Sequence, residues 1–251
     1  MKKQVIYTAI FGEYDKLYEP KVIESEFDYI CFTDNKNLKS KKWEIRHVEN
    51  KGLDFDLMNR KYKLLPHLFL KGYELSVYID GNIKIINSIG DLLNNYLDDQ
   101  TDFLAPIHPE RDCIYSEVKK CFEINKISEK VMCSIISDLE NDFMPMNFGL
   151  TENNILIRRH NKSEIINLDE EWWKMFNYSR RDQLSLTYLF WKKNIKFKVI
   201  QENSRGNSRV FFAYPHKNYD SFSKFKIYLK YILLFNFKLN FVTVRKYNVR
   251  K

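Results

Sequence analysis

Short apolar runs and helix-spaced apolar positions take turns along this chain. Residues 4–11, Gln-Val-Ile-Tyr-Thr-Ala-Ile-Phe, read as a buried strand, with Gly12 and Asp15 marking its exit. Residues 27–33 form a second apolar run, which stops at the turn pair Asp34-Asn35, and 43–48 form a third. The period then changes. Over 57–71, Leu57, Leu64, Leu65, Leu68 and Phe69 fall on one side of a helical wheel. Arg60, Lys63 and His67 share the opposite edge, and Pro66 is expected to kink the helix. Leu75, Val77 and Ile79 alternate up to Asp80, which predicts a strand that Gly81 turns. Further strands are expected over 83–86, 103–107, 154–158 and 197–201, and helices over 88–96, 112–124, 127–140, 162–176 and 180–193. The last helix has a start signal, the capping box Ser179-Arg180-Arg181-Asp182.

Strands interleaved with helices predict an α/β fold with a mainly parallel central sheet flanked by helices, over 1–217. Residues 218–251 are expected to form a separate tail. In such sheets ligands gather at the carboxyl ends of the strands, where Asp34, Asp80 and His108 fall.

Charge sharpens the division. The net charge is +8, and eight basic residues with no acidic one lie between Ser221 and Lys251, so the rest of the chain is neutral. Phe222, Phe225, Tyr228, Tyr231 and Phe235 alternate with these cations. A basic, aromatic-rich amphipathic segment suits the surface of an anionic membrane, with each Lys or Arg contributing about 1 kcal/mol there. A final helix with a solvated basic face is the plainer alternative. No nucleic-acid partner is expected. The apolar run after Met1-Lys2-Lys3 is too short for a signal peptide, and no run reaches the roughly 20 residues a membrane span needs. Cys31, Cys113, Cys121 and Cys133 form no C-x-x-C pair and predict reduced thiols in a cytoplasmic protein.

Asp80-Gly81-Asn82 carries two oxygen-bearing side chains that can face one hard cation, although the same triplet is a common turn. Arg60 and Lys63 offer a cationic edge for a diphosphate, or a solvated helix face. His108, in His108-Pro109-Glu110-Arg111-Asp112, is a candidate metal ligand, and Arg158-Arg159-His160 adds positive charge after another strand. Asp182 and Gln183 are placed either to bond sugar hydroxyls or to complete the helix cap.

The run Arg60-Lys61-Tyr62-Lys63-Leu64-Leu65-Pro66-His67 followed by Tyr78-Ile79-Asp80-Gly81-Asn82 resembles the start of a GT-A glycosyltransferase, a Rossmann-related fold. Five further segments occur in order: Tyr7 to Asp15, Cys31 to Asp34, His108 to Tyr115, Leu156 to Asn161 and Ser179 to Ser185. The set is similar to a family long catalogued as a domain of unknown function and now treated as glycosyltransferase-like. Its members occur in bacterial surface-polysaccharide loci and in plant cell-wall polysaccharide synthesis. The resemblance covers about residues 4–200. It implies a nucleotide-sugar donor, expected to be UDP-linked, with Mn²⁺ or Mg²⁺ at Asp80 and Asn82. Tyr7, Thr8, Ala9 and Asp34 would flank the nucleoside, with Arg60, Lys63, Asp80 and Gly81 at the diphosphate. The Asp182-Gln183 pair looks like one that retaining GT-A enzymes place beside the donor sugar. Asn82 departs from the usual second Asp. The expected acceptor is a glycan or lipid-linked glycan of a capsule or O-antigen. The rival expectation is a non-catalytic glycan- or membrane-surface-binding module on the same fold.

Overall fold

The computed structural model describes residues 4–205, 208–217, 221–222 and 224–229. Seven strands form the central sheet: β1 (Gln4–Ile10), β2 (Phe27–Thr33), β3 (Glu44–His47), β4 (Leu75–Ile79), β6 (Phe103–Pro106), β7 (Ile155–Arg158) and β8 (Phe197–Ile200). Their order is β3-β2-β1-β4-β7-β6-β8. β1 pairs in parallel with β2 and β4, as do β2 with β3 and β6 with β8. Only β7 runs against its neighbours β4 and β6. The mainly parallel α/β sheet expected from the alternation is present.

Both faces are covered. Val5, Tyr7 and Ala9 of β1 point to one face and pack with α1 (Phe55–Leu64), α4 (Ile114–Glu123), α5 (Glu129–Asn141), α6 (Ser163–Ser179) and α7 (Leu186–Lys192). Ile6 and Ile10 point to the other and meet α3 (Ile89–Tyr96) and a small ribbon. That ribbon pairs β5 (Ile83–Ile85) with β9 (Phe211–Ala213). Two-sided burial is why the inner strands read as nearly unbroken apolar runs. Each fully buried Val, Ile or Phe contributes about 1.5–3 kcal/mol to this packing.

Three expectations change here. The helix over 57–71 is broken: Leu65, with φ −120° and ψ 53°, leaves the helical region before Pro66, and α2 (Pro66–Phe69) starts afresh. The proline ring crowds the preceding residue out of the α basin. The helix over 180–193 is also broken. α6 runs through Ser179, Arg180 adopts the left-handed conformation with φ 57°, a 3-10 turn spans Asp182–Leu184, and α7 follows. Ser179 is therefore the last residue of a helix and not the N-cap of one. The strand over 83–86 joins the ribbon and not the main sheet, and β9 was not anticipated.

The four cysteines are free, with Cys133 exposed and the others buried. Among the described residues no helix is long and apolar enough to cross a membrane. The expected tail over 218–251 lies outside the described residues except for 221–222 and 224–229, which are helical.

Candidate functional site

β4 lies beside β1, and its carboxyl end delivers Asp80 to the edge of the sheet where parallel α/β folds bind ligands. α1 crosses the same edge and places Arg60 and Lys63 there, and the 3-10 turn brings Asp182. Lys63 Nζ lies 2.7 Å from Asp182 Oδ2 and 3.3 Å from Asp80 Oδ1. Arg60 Nε stands 3.6 Å from the same Asp182 oxygen. The Tyr78 hydroxyl donates to Asp80 Oδ1 at 3.0 Å, and its ring lies 5.3 Å below the Lys63 ammonium. Four residues that the sequence marked separately are thus one cluster of two cations and two carboxylates.

Its electrostatics follow from burial. Lys63 is 2% exposed, and two carboxylates face its buried ammonium. Burial by itself would raise the Asp182 carboxyl, but Lys63 and Arg60 together hold it down to about 2. The two cations thus keep the Asp182 carboxylate ionised and in place. Burial opposes the charge on Arg60, yet Asp182 and Asp80 keep it firmly protonated. Gln183 sits half-buried beside Asp182.

The cluster is braced from beneath. The Tyr7 hydroxyl donates to the Lys63 carbonyl at 3.2 Å and accepts from Arg158 at 2.9 Å. Arg158 also donates to the Lys63 carbonyl and pairs with Asp169 at 2.7 Å, with both side chains fully buried. A cation therefore meets the carboxyl end of α1, the favourable end of the helix dipole. The structure thereby moves Tyr7 from the nucleoside to the core: its ring is enclosed by Phe32 and Tyr78, with no surface open to a ligand. Thr8 and Ala9 are buried too, and the Ala9 carbonyl accepts from Asn59 at 3.1 Å. Asp34 accepts from the Gly12 amide at 3.1 Å and so ties down the loop after β1.

One other motif is placed elsewhere. Because β7 is antiparallel, Arg158 pairs with Ser76 at the far end of β4, so Arg158-Arg159-His160 leads away from Asp80. Arg159 bonds the carbonyls of Asp98 and Thr101, and His160 lies 3.3 Å from the Leu70 carbonyl. What reaches the site is instead the start of β7, where the Asn154 carbonyl accepts from the Asp80 amide at 2.9 Å. The stretch Thr151 to Asn154 escaped the sequence reading because strand direction is not written in local periodicity. His108 is held within its own loop. Its Nδ1 accepts from the amides of Glu110 and Arg111, and burial with Arg111 lowers it to about 4, so the ring is neutral at pH 7.

Asn82 is pinned to the end of the ribbon: its amide donates to the Tyr214 carbonyl at 2.6 Å, and its carbonyl accepts from the Tyr214 amide at 2.8 Å. Beside it His216 Nδ1 lies 2.9 Å from Asp15. Tyr214 stacks on Tyr18 with centroids 4.1 Å apart, next to a pocket of about 420 Å³ lined by Lys16, Lys217, Lys224, Phe225 and Tyr228. Among the described residues no group of three or more His, Cys, Asp and Glu side chains is arranged to hold a metal ion. Asp80 is the one carboxylate of the triplet and is partly open to solvent. A divalent cation there would have Asp80 as its one protein carboxylate and the Asn82 side-chain oxygen as a neutral second ligand.

Compared with known families, the chain belongs to the one described as "TOD1/MUCI70, glycosyltransferase-like domain", which matches residues 1–209. No curated protein matches the sequence. The family membership agrees with the resemblance drawn from the motifs and with the Rossmann-like sheet.

Proposed function

We propose that this member of the TOD1/MUCI70 glycosyltransferase-like family moves a hexose from a nucleotide sugar, UDP-linked, to a carbohydrate acceptor. The observation that carries the reading is the convergence of Arg60, Lys63, Asp80 and Asp182, from three separate elements, at one carboxyl edge of the sheet. The donor diphosphate lies over Asp80-Gly81-Asn82. Asp80 and Asn82 would hold Mn²⁺ or Mg²⁺, which when bound would supply positive charge to the departing diphosphate. Arg60, part-exposed and only 3.6 Å from its acid, is the cation free to swing to the phosphates. Lys63, enclosed by two acids, acts on their positions and not on the ligand directly. This preorganised charge is what stabilises a leaving group at little reorganisation cost. Asp182 and Gln183 face the donor sugar, and Asp34 and the loop it ties down flank the nucleoside.

The acceptor is a glycan or lipid-linked glycan of the capsule or O-antigen kind, and residues 221–251 hold the protein to the inner face of an anionic membrane. The decisive experiment is Asp80→Ala with a panel of UDP-sugars and Mn²⁺. Donor turnover is expected to vanish while the unfolding temperature stays within a few degrees of wild type. Full activity in that variant would sink the site assignment. One observation favours the non-catalytic alternative, the tying of Asn82 to Tyr214. The same panel separates the two: slow donor hydrolysis marks an enzyme, and no donor binding by calorimetry marks a binding module.

A further inference from the structure

The segment before β7 carries polar side chains that the proposed transfer, as described so far, leaves unused. Glu152 is 2% exposed and Asn154 8% exposed. The alternation of an extended chain puts them on one face, and their contacts agree. Asn154 Nδ2 donates to Ser204 at 2.9 Å, and Glu152 Oε1 lies 2.8 Å from Arg205 Nε, both partners on the loop after β8. The intervening Asn153 turns the other way and donates to the Asp182 carbonyl at 3.2 Å. Glu152 Oε1 is met by the Arg205 guanidinium, whereas by geometry Glu152 Oε2 and Asn154 Oδ1 receive no hydrogen bond from the described residues. Leaving such acceptors buried and unmet costs about 1–3 kcal/mol each, more for a charge. A ligand that brings the missing donors is one reason a structure retains that cost.

The place of these oxygens says what the ligand is. The Asn154 carbonyl already bonds the Asp80 amide, so the face begins directly beside the diphosphate position. Asp80 and Lys63 both act electrostatically on Glu152, which burial first and Asp80 next lift to about 6 against Arg205, Asn154 and Lys63. Two neighbouring open acceptors, Glu152 Oε2 and Asn154 Oδ1, match a group that donates more than one hydrogen bond from one ring, which is a sugar with free hydroxyls. We propose that Glu152 and Asn154 form the subsite that recognises the hydroxyl groups of the donor sugar. The inference rests on the nucleotide-sugar reading above.

The test is calorimetric titration of the full chain with UDP, GDP and a set of their sugar conjugates in the presence of Mn²⁺. For Glu152→Gln and Asn154→Ala we expect the best-bound conjugate to lose about tenfold or more in affinity, as for a lost hydrogen bond to a sugar hydroxyl. Affinity for the bare nucleoside diphosphate should stay within about twofold. Glu152→Gln should also unfold at the same or a higher temperature than wild type, because it removes a poorly compensated buried charge. Unchanged conjugate binding, or equal loss for the conjugate and the bare diphosphate, overturns the subsite. So does a marked fall in the unfolding temperature of Glu152→Gln, which would assign Glu152 to holding Arg205. If wild type binds no conjugate or diphosphate at all, the donor reading itself fails and the subsite falls with it.

Discussion

Lys63 shows how neighbours decide what a residue is for. By helical periodicity it belongs to a polar edge, and in the folded chain it is enclosed between Asp80 and Asp182. Removing its charge strands two acids, so Lys63→Met should cost about 3 kcal/mol or more in urea unfolding. Combining it with Asp182→Asn should recover part of that loss, a coupling that a double-mutant cycle measures. Asp182 also sets a pH dependence. Its folded value, about 2, lies below its ordinary value of 3.8, so the unfolded chain takes up the proton more readily. The resulting stability, on the order of 2 kcal/mol, is complete above about pH 4 and lost as pH falls through 2. Asp182→Asn should flatten the acid limb of the stability curve, and an unchanged limb would refute the assignment. Gly81 is constrained by space. A Cβ there would sit 2.8 Å from Ile10 Cγ1 and 3.3 Å from Asp15 Cβ. Gly81→Ala should destabilise by about 1–3 kcal/mol and displace the Asp80 carboxylate, lowering donor turnover as well.

Among the elements, the break between α6 and α7 matters most to the site. Ser-x-x-Asp over 179–182 satisfies a capping pattern, but the Ser179 hydroxyl donates back to the Met175 carbonyl inside α6. Arg180 then turns left-handed and ends the helix. Asp182 is thereby released from capping and faces Lys63. The turn that carries it is fastened by Trp172 of α6, whose indole donates to the Asp182 carbonyl at 2.9 Å from a fully buried position. Trp172→Phe should cost about 2 kcal/mol through the lost bond and the space left behind. Its donor turnover should fall further than that loss of stability explains, because Asp182 loses its seat. Activity in proportion to the folded fraction would argue that the turn needs no such anchor.

At the scale of the whole molecule, one antiparallel strand sets what the site contains. Reversing β7 sends Arg158 to the far end of β4 and brings Glu152 and Asn154 to Asp80. The C-terminal segment is the other feature at this scale. In its described part Phe222 and Phe225 are exposed, and Lys226 Nζ sits 4.2 Å from the Phe222 ring centroid. Deleting 221–251 should release the protein from anionic vesicles, as a cosedimentation assay would show, and binding that persists would refute the membrane assignment.

The local pattern was enough for the interleaved strands and helices, the parallel character of the sheet and the strand that delivers Asp80. These depend on burial periods and turn chemistry, which neighbouring residues determine. It was also enough to single out Arg60, Lys63, Asp80 and Asp182 one by one. Their assembly into one charged cluster needed the folded chain, because contacts across 17 residues, as from Lys63 to Asp80, leave no periodic trace. The same holds for the direction of β7, the inward turn of Tyr7 and Arg158, and the unmet oxygens of Glu152 and Asn154. Each is decided by which distant groups share a buried space, and that is a property of tertiary packing alone.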